Sequence, residues 1–452
     1  MNETILKLEE NYCSQGDTSG RHTPKKVFAN CNGSFLYDEN SIPYLDMQMY
    51  NSASNFGYKN PTFYNTMIHQ MNTLPTLASE FISKEKVELA TAICTYMEKK
   101  HGVKGRVHFN VGGAQAIDDV LKLIANATGS KNIFTFEGGY HGRTMAASSI
   151  SSSYRYKRQF GSVIDVYRIP FPNCEYCAYG RERNTCQMFC LKRLETLFQS
   201  EYYGIYEKKN NSSAYTAFLA EPILGRGGYI APPQEYYKHL LSILKKYNIL
   251  FIADEIQMGI FRTGKMWSFE NYNIVPDAFT FGKSITNGLW PLSGIWAKEE
   301  LISPNIWSSG SAHSTFAGNP LGMALGNTTL SIIKDKSFEI QLNERINKFH
   351  SIINELKKDF NFIGRTSMVG MAVGMDIVHP SNHKPFPELA HTISEEALHY
   401  PIHSRDKEYG LILPCVGVYE NTFTLAPNLF ISDDELNLFD SLIRMYFKKV
   451  NI

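Results

Sequence analysis

The run Ile249-Leu250-Phe251-Ile252-Ala253-Asp254-Glu255-Ile256-Gln257 is an apolar segment of strand length, Ile249 to Ala253, that stops on a carboxylate. Downstream, Ala278 to Phe281 repeats the plan and leads into Gly282-Lys283-Ser284; upstream, Thr216 to Ala220 leads into Glu221-Pro222. Asn132 to Phe136 is a fourth run of the same kind. Short apolar runs rich in β-branched and aromatic residues read as buried strands. Between them, Ala114 to Asn126 and Glu235 to Tyr247 carry helical spacing. Strand–helix alternation predicts an open, largely parallel sheet covered by helices on both faces. Ligands of such sheets sit at the carboxyl ends of the strands. Glu221, Asp254 and Lys283 therefore form a convergent charged set, although each alone also reads as a solvated loop residue or a structural ion pair.

The rest of the chain narrows the function classes. Of 452 residues, 43% are hydrophobic and 20% charged, the balance of a globular protein. Lys plus Arg is 45 and Asp plus Glu is 44, so the net charge of +1 argues against nucleic-acid binding by bulk charge. No stretch approaches the roughly 20 apolar residues of a membrane helix. Met1 to Gln15 has no apolar centre and does not read as a secretory signal. Eight cysteines in this length are no disulfide scaffold, and a reduced, cytoplasmic protein is expected.

Towards the C-terminus the pattern changes. Phe338 to Phe360 is a long polar-faced helix, Gly370 to Ile377 a strand, Glu395 to Glu408 a helical region interrupted at Pro401, and Asp433 to Lys449 a helix with Ser432 as N-cap. With Asn32 to Pro61 these predict a smaller α+β domain. The expected division is a large domain over 62–325 and a small one combining 1–61 with 326–452. The segment Asn110-Val111-Gly112-Gly113-Ala114-Gln115 precedes a predicted helix. Its glycines and the free N–H groups of a helix N-terminus suit a phosphate, and a tight turn explains them equally. It is neither a Walker A loop nor the Gly-x-Gly-x-x-Gly fingerprint.

Taken together, Phe136-Glu137-Gly138-Gly139-Tyr140-His141-Gly142-Arg143-Thr144, Glu221-Pro222-Ile223, Asp254-Glu255-Ile256-Gln257-Met258-Gly259, Arg262-Thr263-Gly264, Pro276-Asp277 and Phe281-Gly282-Lys283 resemble the class III aminotransferases in kind and order. Asn55 to Pro61 and Ser314 to Pro320 resemble two further elements of that family, and the likeness covers about residues 30 to 440. The resemblance implies fold type I, with a mostly parallel seven-stranded sheet, and pyridoxal 5'-phosphate as cofactor. It implies that Lys283 forms the Schiff base and that Asp254 pairs with the pyridine nitrogen. It further implies that Gln257 contacts the phenolic oxygen, Tyr140 stacks on the ring with His141 supporting it, and Gly113 and Ala114 hold the phosphate through backbone N–H groups. His141, Gln257 and Glu221 either touch the cofactor or support residues that do. Thr315 would reach the phosphate of the neighbouring subunit, which implies a homodimer with its active site at the interface. The implied reaction moves an amino group from an ω-amine, diamino acid or amino sugar to a 2-oxo acid. The same residues suit a racemase, epimerase or aminomutase of that fold, and a non-catalytic binding module remains a rival from another class.

Three departures stand out. Arg226 occupies a position where the family often has Glu, and Thr424 one where it often has Arg. Arg226 then either receives a substrate carboxylate or pairs with Glu221 or a neighbour as a structural ion. Ala114 stands where a hydroxyl residue is frequent. Tyr140 and Trp290 suggest an aromatic-walled pocket, although aromatic residues also fill cores. Finally, Cys174, Cys177, Cys186 and Cys190 lie close together in an insertion-like stretch. They read either as a zinc or iron–sulfur site or as four reduced thiols, with Cys186 and Cys190 one turn apart on a helix.

Overall fold

Seven strands from the middle of the chain build one sheet: β1 (Gly105–Asn110), β2 (Ile133–Phe136), β3 (Val166–Ile169), β4 (Ala217–Ala220), β5 (Leu250–Asp254), β6 (Ala278–Phe281) and β7 (Ser293–Lys298). Their spatial order is β1-β7-β6-β5-β4-β2-β3. The neighbours β6-β5, β5-β4, β4-β2 and β2-β3 are parallel, and β7 runs against both β6 and β1. All strands but β7 thus point one way, and their carboxyl ends share one edge. The computed structural model describes residues 2–14, 16, 25–156, 160–404 and 407–450.

The four strand expectations agree with β2, β4, β5 and β6 to within a residue or two. Every residue of β2, β4 and β6 is buried, as expected of strands covered on both faces. Phe279 of β6 faces Trp296 of β7 across the ladder, and the rings stack at 5.3 Å. The helix α1 (Gly113–Thr128) buries Ala116, Ile117, Val120, Leu121 and Ile124, one stripe at helical spacing. It ends at Gly129, whose φ of 77° is the left-handed conformation that closes a helix.

Besides the two-stranded ribbon of Tyr206–Glu207 with Ser212–Ser213, two smaller sheets lie outside this one. Phe28–Asn32, Phe35–Asp38 and Pro43–Asp46 continue into Lys407–Ile412 and Ile402–Ser404. Pro43–Asp46 and Lys407–Ile412 pair in parallel, which joins the two ends of the chain. Ile363–Val369, Ala372–Ile377, Thr422–Leu425 and Cys415–Val416 form the other. The helix Asp433–Lys449 starts at Ser432 as expected, through a reciprocal cap with Glu435. The helical region expected over Glu395 to Glu408 is corrected. The helix is Pro387–His399, and Ile402–Ser404 and Lys407–Ile412 are strands. Pro401 disfavours helix at the residue before it and ends the run. Arg405 and Asp406 of that expectation lie outside the described residues, as do Met1 and Gln15 of the N-terminal segment, whose Asn2–Tyr12 is a helix.

One side chain ties distant segments together. Arg262 is fully buried, and its guanidinium donates to the carbonyls of Met371 (3.2 Å) and Pro427 (2.7 Å) and to the Asn55 side chain. Burial without a carboxylate partner pulls its pKa down to about 10. Just before it, Ile260 and Phe261 hold positive φ of 53° and 60°, a strained conformation for such side chains. Arg262→Met strands three buried acceptors and is expected to lower stability by about 2–4 kcal/mol. A thermal unfolding midpoint that stays put would show that Arg262 is no tie.

Candidate active site

Five parallel strands deliver their carboxyl ends to one edge, and each is followed by a polar device. After β1 comes Gly112-Gly113, after β2 Tyr140 and His141, after β4 Glu221, at the end of β5 Asp254, and after β6 Lys283.

Asp254 is buried and held on both oxygens. Oδ2 contacts His141 Nδ1 at 2.8 Å, and Oδ1 accepts from Thr280 Oγ1 at 3.0 Å and from the Ile256 N–H at 3.1 Å. His141 is itself fixed, its backbone N–H donating to Ser151 Oγ at 2.9 Å and its Nε2 lying 3.5 Å from Thr135 Oγ1. The next residue, Glu255, points away from the site. It accepts from the Ser268 N–H (2.7 Å), Ser268 Oγ (2.7 Å) and the Phe269 N–H (3.0 Å). Successive side chains of a strand face opposite ways, so only one of the two adjacent carboxylates belongs to the site.

Lys283 opens a short 3-10 turn, Lys283–Thr286, with a positive φ of 47°. Its side chain is partly open, and desolvation lowers its pKa from 10.5 to about 8. Asp254 and Glu221 resist that shift, while the charge on Arg226 favours it. Glu221 is buried and accepts from the N–H groups of Tyr140 (2.9 Å) and Gly225 (2.8 Å). Burial pushes its pKa up to about 7, and the Asp254 charge adds to the rise. Gln257 donates to the Tyr229 hydroxyl at 3.2 Å, which lies 3.3 Å from Ser52 Oγ.

The N-terminus of α1 is capped by Gly112 with no side-chain hydrogen bond, so its first-turn N–H groups are free for an anion. The loop of His141 comes close here. A Cβ on Gly142, whose φ is +126°, would stand 2.6 Å from the Cβ of Ala114. A partly buried lysine of lowered pKa, a carboxylate fixed on the neighbouring strand and a helix N-terminus without a side-chain cap suit one ligand that carries an aldehyde, a ring nitrogen and a phosphate. Pyridoxal phosphate has all three, and these residues fit it.

The expected site residues are distributed unequally. Asp254 with His141 and Glu221 with Tyr140 are joined by the hydrogen bonds above, Lys283 lies within electrostatic reach of Asp254 and Glu221, and Gly113 and Ala114 start α1. Trp290 packs against Gly322 instead, where a Cβ would stand 2.6 Å from its ring. Thr315 is exposed. Arg226 forms no ion pair with Glu221, whose oxygens are taken by backbone donors, and its guanidinium lies over the Tyr140 ring at 5.5 Å. Thr280 and Thr135 escaped sequence reading. Their signal was there, since each is the single polar residue in a buried apolar strand, Ala278-Phe279-Thr280-Phe281 and Ile133-Phe134-Thr135-Phe136. Cys174, Cys177, Cys186 and Cys190 are free thiols lining one small apolar pocket with Tyr236. Among the described residues no three of His, Cys, Asp and Glu are placed to hold a metal. The expected helical turn between Cys186 and Cys190 is corrected, because the helix there is Phe189–Thr196 and begins after Cys186.

The aminotransferase class-III family matches residues 18–445. The chain is 28% identical to ornithine aminotransferase 2 of Staphylococcus saprophyticus over 99% of both chains. It is 29% identical to an alanine/serine racemase of Pyrococcus horikoshii, over 91% of this chain and 82% of that protein. The fold matches taurine:2-oxoglutarate aminotransferase of Bifidobacterium kashiwanohense, solved with PLP and glutamate, with a TM-score of 0.85, 23% identity and 99% of each chain covered.

The lowered pKa of Lys283 has a direct readout. Labelling of its amine in cofactor-free protein by a small aldehyde, fixed with borohydride, is expected to rise as pH passes about 8 rather than 10.5. Peptide mapping locates the label, and a midpoint at the ordinary lysine value would refute the desolvated environment.

Proposed function

This chain belongs to the class III aminotransferases, pyridoxal-phosphate enzymes that move an amino group from a donor to an oxo acid, and from that membership we propose how its own residues divide the work. The observation that carries the reading is Lys283, partly buried and of lowered pKa, within electrostatic reach of the fixed carboxylate of Asp254. When bound, the cofactor supplies an aldehyde that holds the donor amine and an electron-poor ring that stabilises negative charge at the substrate carbon.

Lys283 is partly neutral near its pKa of about 8, so it can bond to the aldehyde and, once released, carry a proton off the substrate carbon and return it. Asp254 would pair with the ring nitrogen; His141, Thr280 and the Ile256 N–H hold its carboxylate in place. The N–H groups of Gly113 and Ala114 would take the phosphate. Ala114 offers no hydroxyl, so backbone donors and the helix dipole do this. Gln257 would donate to the ring's phenolic oxygen, positioned by Tyr229. Glu221 acts one step back, fixing Tyr140 and the Gly225 loop.

The donor is read as an ω-amine, a diamino acid or an amino sugar; the likeness to an ornithine aminotransferase supports the diamino acid. A homodimer is proposed, with Thr315 serving the partner's site. Exposed Phe81 (64%), Ile82 (82%), Ile68 (56%) and Phe316 (66%) supply apolar surface for it. The division into 62–325 and 1–61 with 326–452 is supported by the parallel pairing of Pro43–Asp46 with Lys407–Ile412. A cytoplasmic location suits eight cysteines that form no disulfide among the described residues. No described helix is long and apolar enough to cross a membrane.

Lys283→Ala is expected to cut turnover by at least about 100-fold. In the wild type, donor added without acceptor should convert the extracted cofactor to its amine form. A racemase instead returns the aldehyde form with its substrate's configuration scrambled, and a binding module returns both unchanged. Ile82→Glu, made together with Phe81→Asp, should shift the sedimenting mass from two chains towards one. A mass unchanged by both substitutions would place the contact elsewhere.

A further inference from the structure

The loop after Glu221 is Gly225-Arg226-Gly227-Gly228, and packing bars side chains from three of its four positions. A Cβ on Gly225 would stand 2.6 Å from both Gln257 Oε1 and Glu221 Oε2. One on Gly227 would overlap Leu224, and Gly228 has a φ of +118° with Thr422 Oγ1 at 3.1 Å from its ideal Cβ. Arg226 is the one residue of this loop with a side chain to present.

Its backbone is held by hydrogen bonds and its guanidinium by a ring contact. The Gly225 N–H donates to Glu221 Oε2 (2.8 Å), the Gly228 N–H to the Gly225 carbonyl (3.0 Å), and the Gly417 N–H to the Arg226 carbonyl (3.3 Å). The guanidinium lies on the Tyr140 ring, and among the described residues no carboxylate comes within ion-pair distance of it. Arg226 lines a cleft of about 370 Å³ with Tyr140, Ser152, Ser153, Arg155 and Tyr156. Arg155 is already spoken for, paired with Glu420 at 3.0 Å. The loop and cleft meet the site through Gly225, packed on Gln257 and Glu221, and through Tyr140, whose N–H Glu221 holds; the charge on Arg226 is felt at Lys283 as well.

A planar cation with five donors, backed by an aromatic face and left without an anion, matches a carboxylate better than any other common substrate group. We propose that Arg226 is the substrate-carboxylate receptor of this site, so that the enzyme works on amino and oxo acids rather than on simple amines. The inference rests on the aminotransferase reading and deepens it. The guanidinium engages the substrate's carboxylate, sets its orientation, and loses the Tyr140 face or keeps it without disturbing Glu221. Removing Arg226 leaves no buried partner unpaired, so its variants fold.

The test compares Arg226→Gln and Arg226→Lys with wild type, all loaded with cofactor, on pyruvate, 2-oxoglutarate and the neutral amides of both. Arg226→Gln should raise KM for the acids at least about tenfold, with a much smaller change for the amides, and Arg226→Lys should recover part of the loss. Calorimetry with glutarate, which cannot react, should show a matching loss of affinity. A loss confined to 2-oxoglutarate assigns the guanidinium to the remote carboxylate; a loss shared with pyruvate assigns it to the one beside the reacting carbon. Equal losses for acids and amides, no loss, or a wild type that accepts only neutral carbonyls overturns the proposal. A wild type that transfers no amino group to any acceptor defeats the aminotransferase reading instead, and glutarate binding still judges Arg226.

Discussion

A cation sealed among neutral oxygens is the constraint on which this architecture turns. Arg262 reaches Asn55 near the N-terminus, Met371 in the turn between two strands of the four-stranded sheet and Pro427 beyond its last strand, while its own backbone belongs to the turn that follows β5. Burying a guanidinium is unfavourable unless its donors meet acceptors; here both terminal nitrogens do, while Nε has no hydrogen-bond partner among the described residues. The requirement can be met only when the segments carrying those acceptors are all in place. Local strain at Ile260 and Phe261 is tolerated because the residue beside them is held from three sides. The turn so fixed begins a few residues after Asp254, so global assembly and local geometry share one anchor.

From that anchor the site follows by strand direction. Parallel strands bring their carboxyl ends to one edge, and alternation decides which side chain of each pair faces it. Asp254 and Glu255 differ by one position and serve different purposes, one oriented by His141 and Thr280, the other closing the Ser268 turn. The electrostatics are mutual. Asp254 and Glu221 hold Lys283 towards its charged form, desolvation and Arg226 towards its neutral one, and the balance leaves the amine titrating near 8.

Much of this was legible beforehand. The apolar runs gave β2, β4, β5 and β6 because buried parallel strands leave a continuous signature, and the residues after them gave Lys283, Asp254 and Glu221. What stayed hidden depended on three-dimensional contact. Thr280 and Thr135 look like ordinary strand residues until their hydroxyls are seen against Asp254 and His141. Trp290 looked like a pocket wall and instead fills space over Gly322, a contact some thirty residues away that no local pattern encodes. The helix expected across Pro401 failed because periodicity alone carries no information about a sheet partner as distant as Pro43–Asp46.

The Gly225–Gly228 loop has a consequence for how such an enzyme diversifies. Its path is set by glycine packing and by backbone hydrogen bonds, none of which involves the side chain at 226. A residue there can change in charge or size without stranding a buried group or opening a cavity, the two routes by which substitutions usually destabilise. Selectivity is thereby uncoupled from folding at this point. One codon can change the group this loop presents while the scaffold stays as it is, and a change of charge there also moves the titration of Lys283.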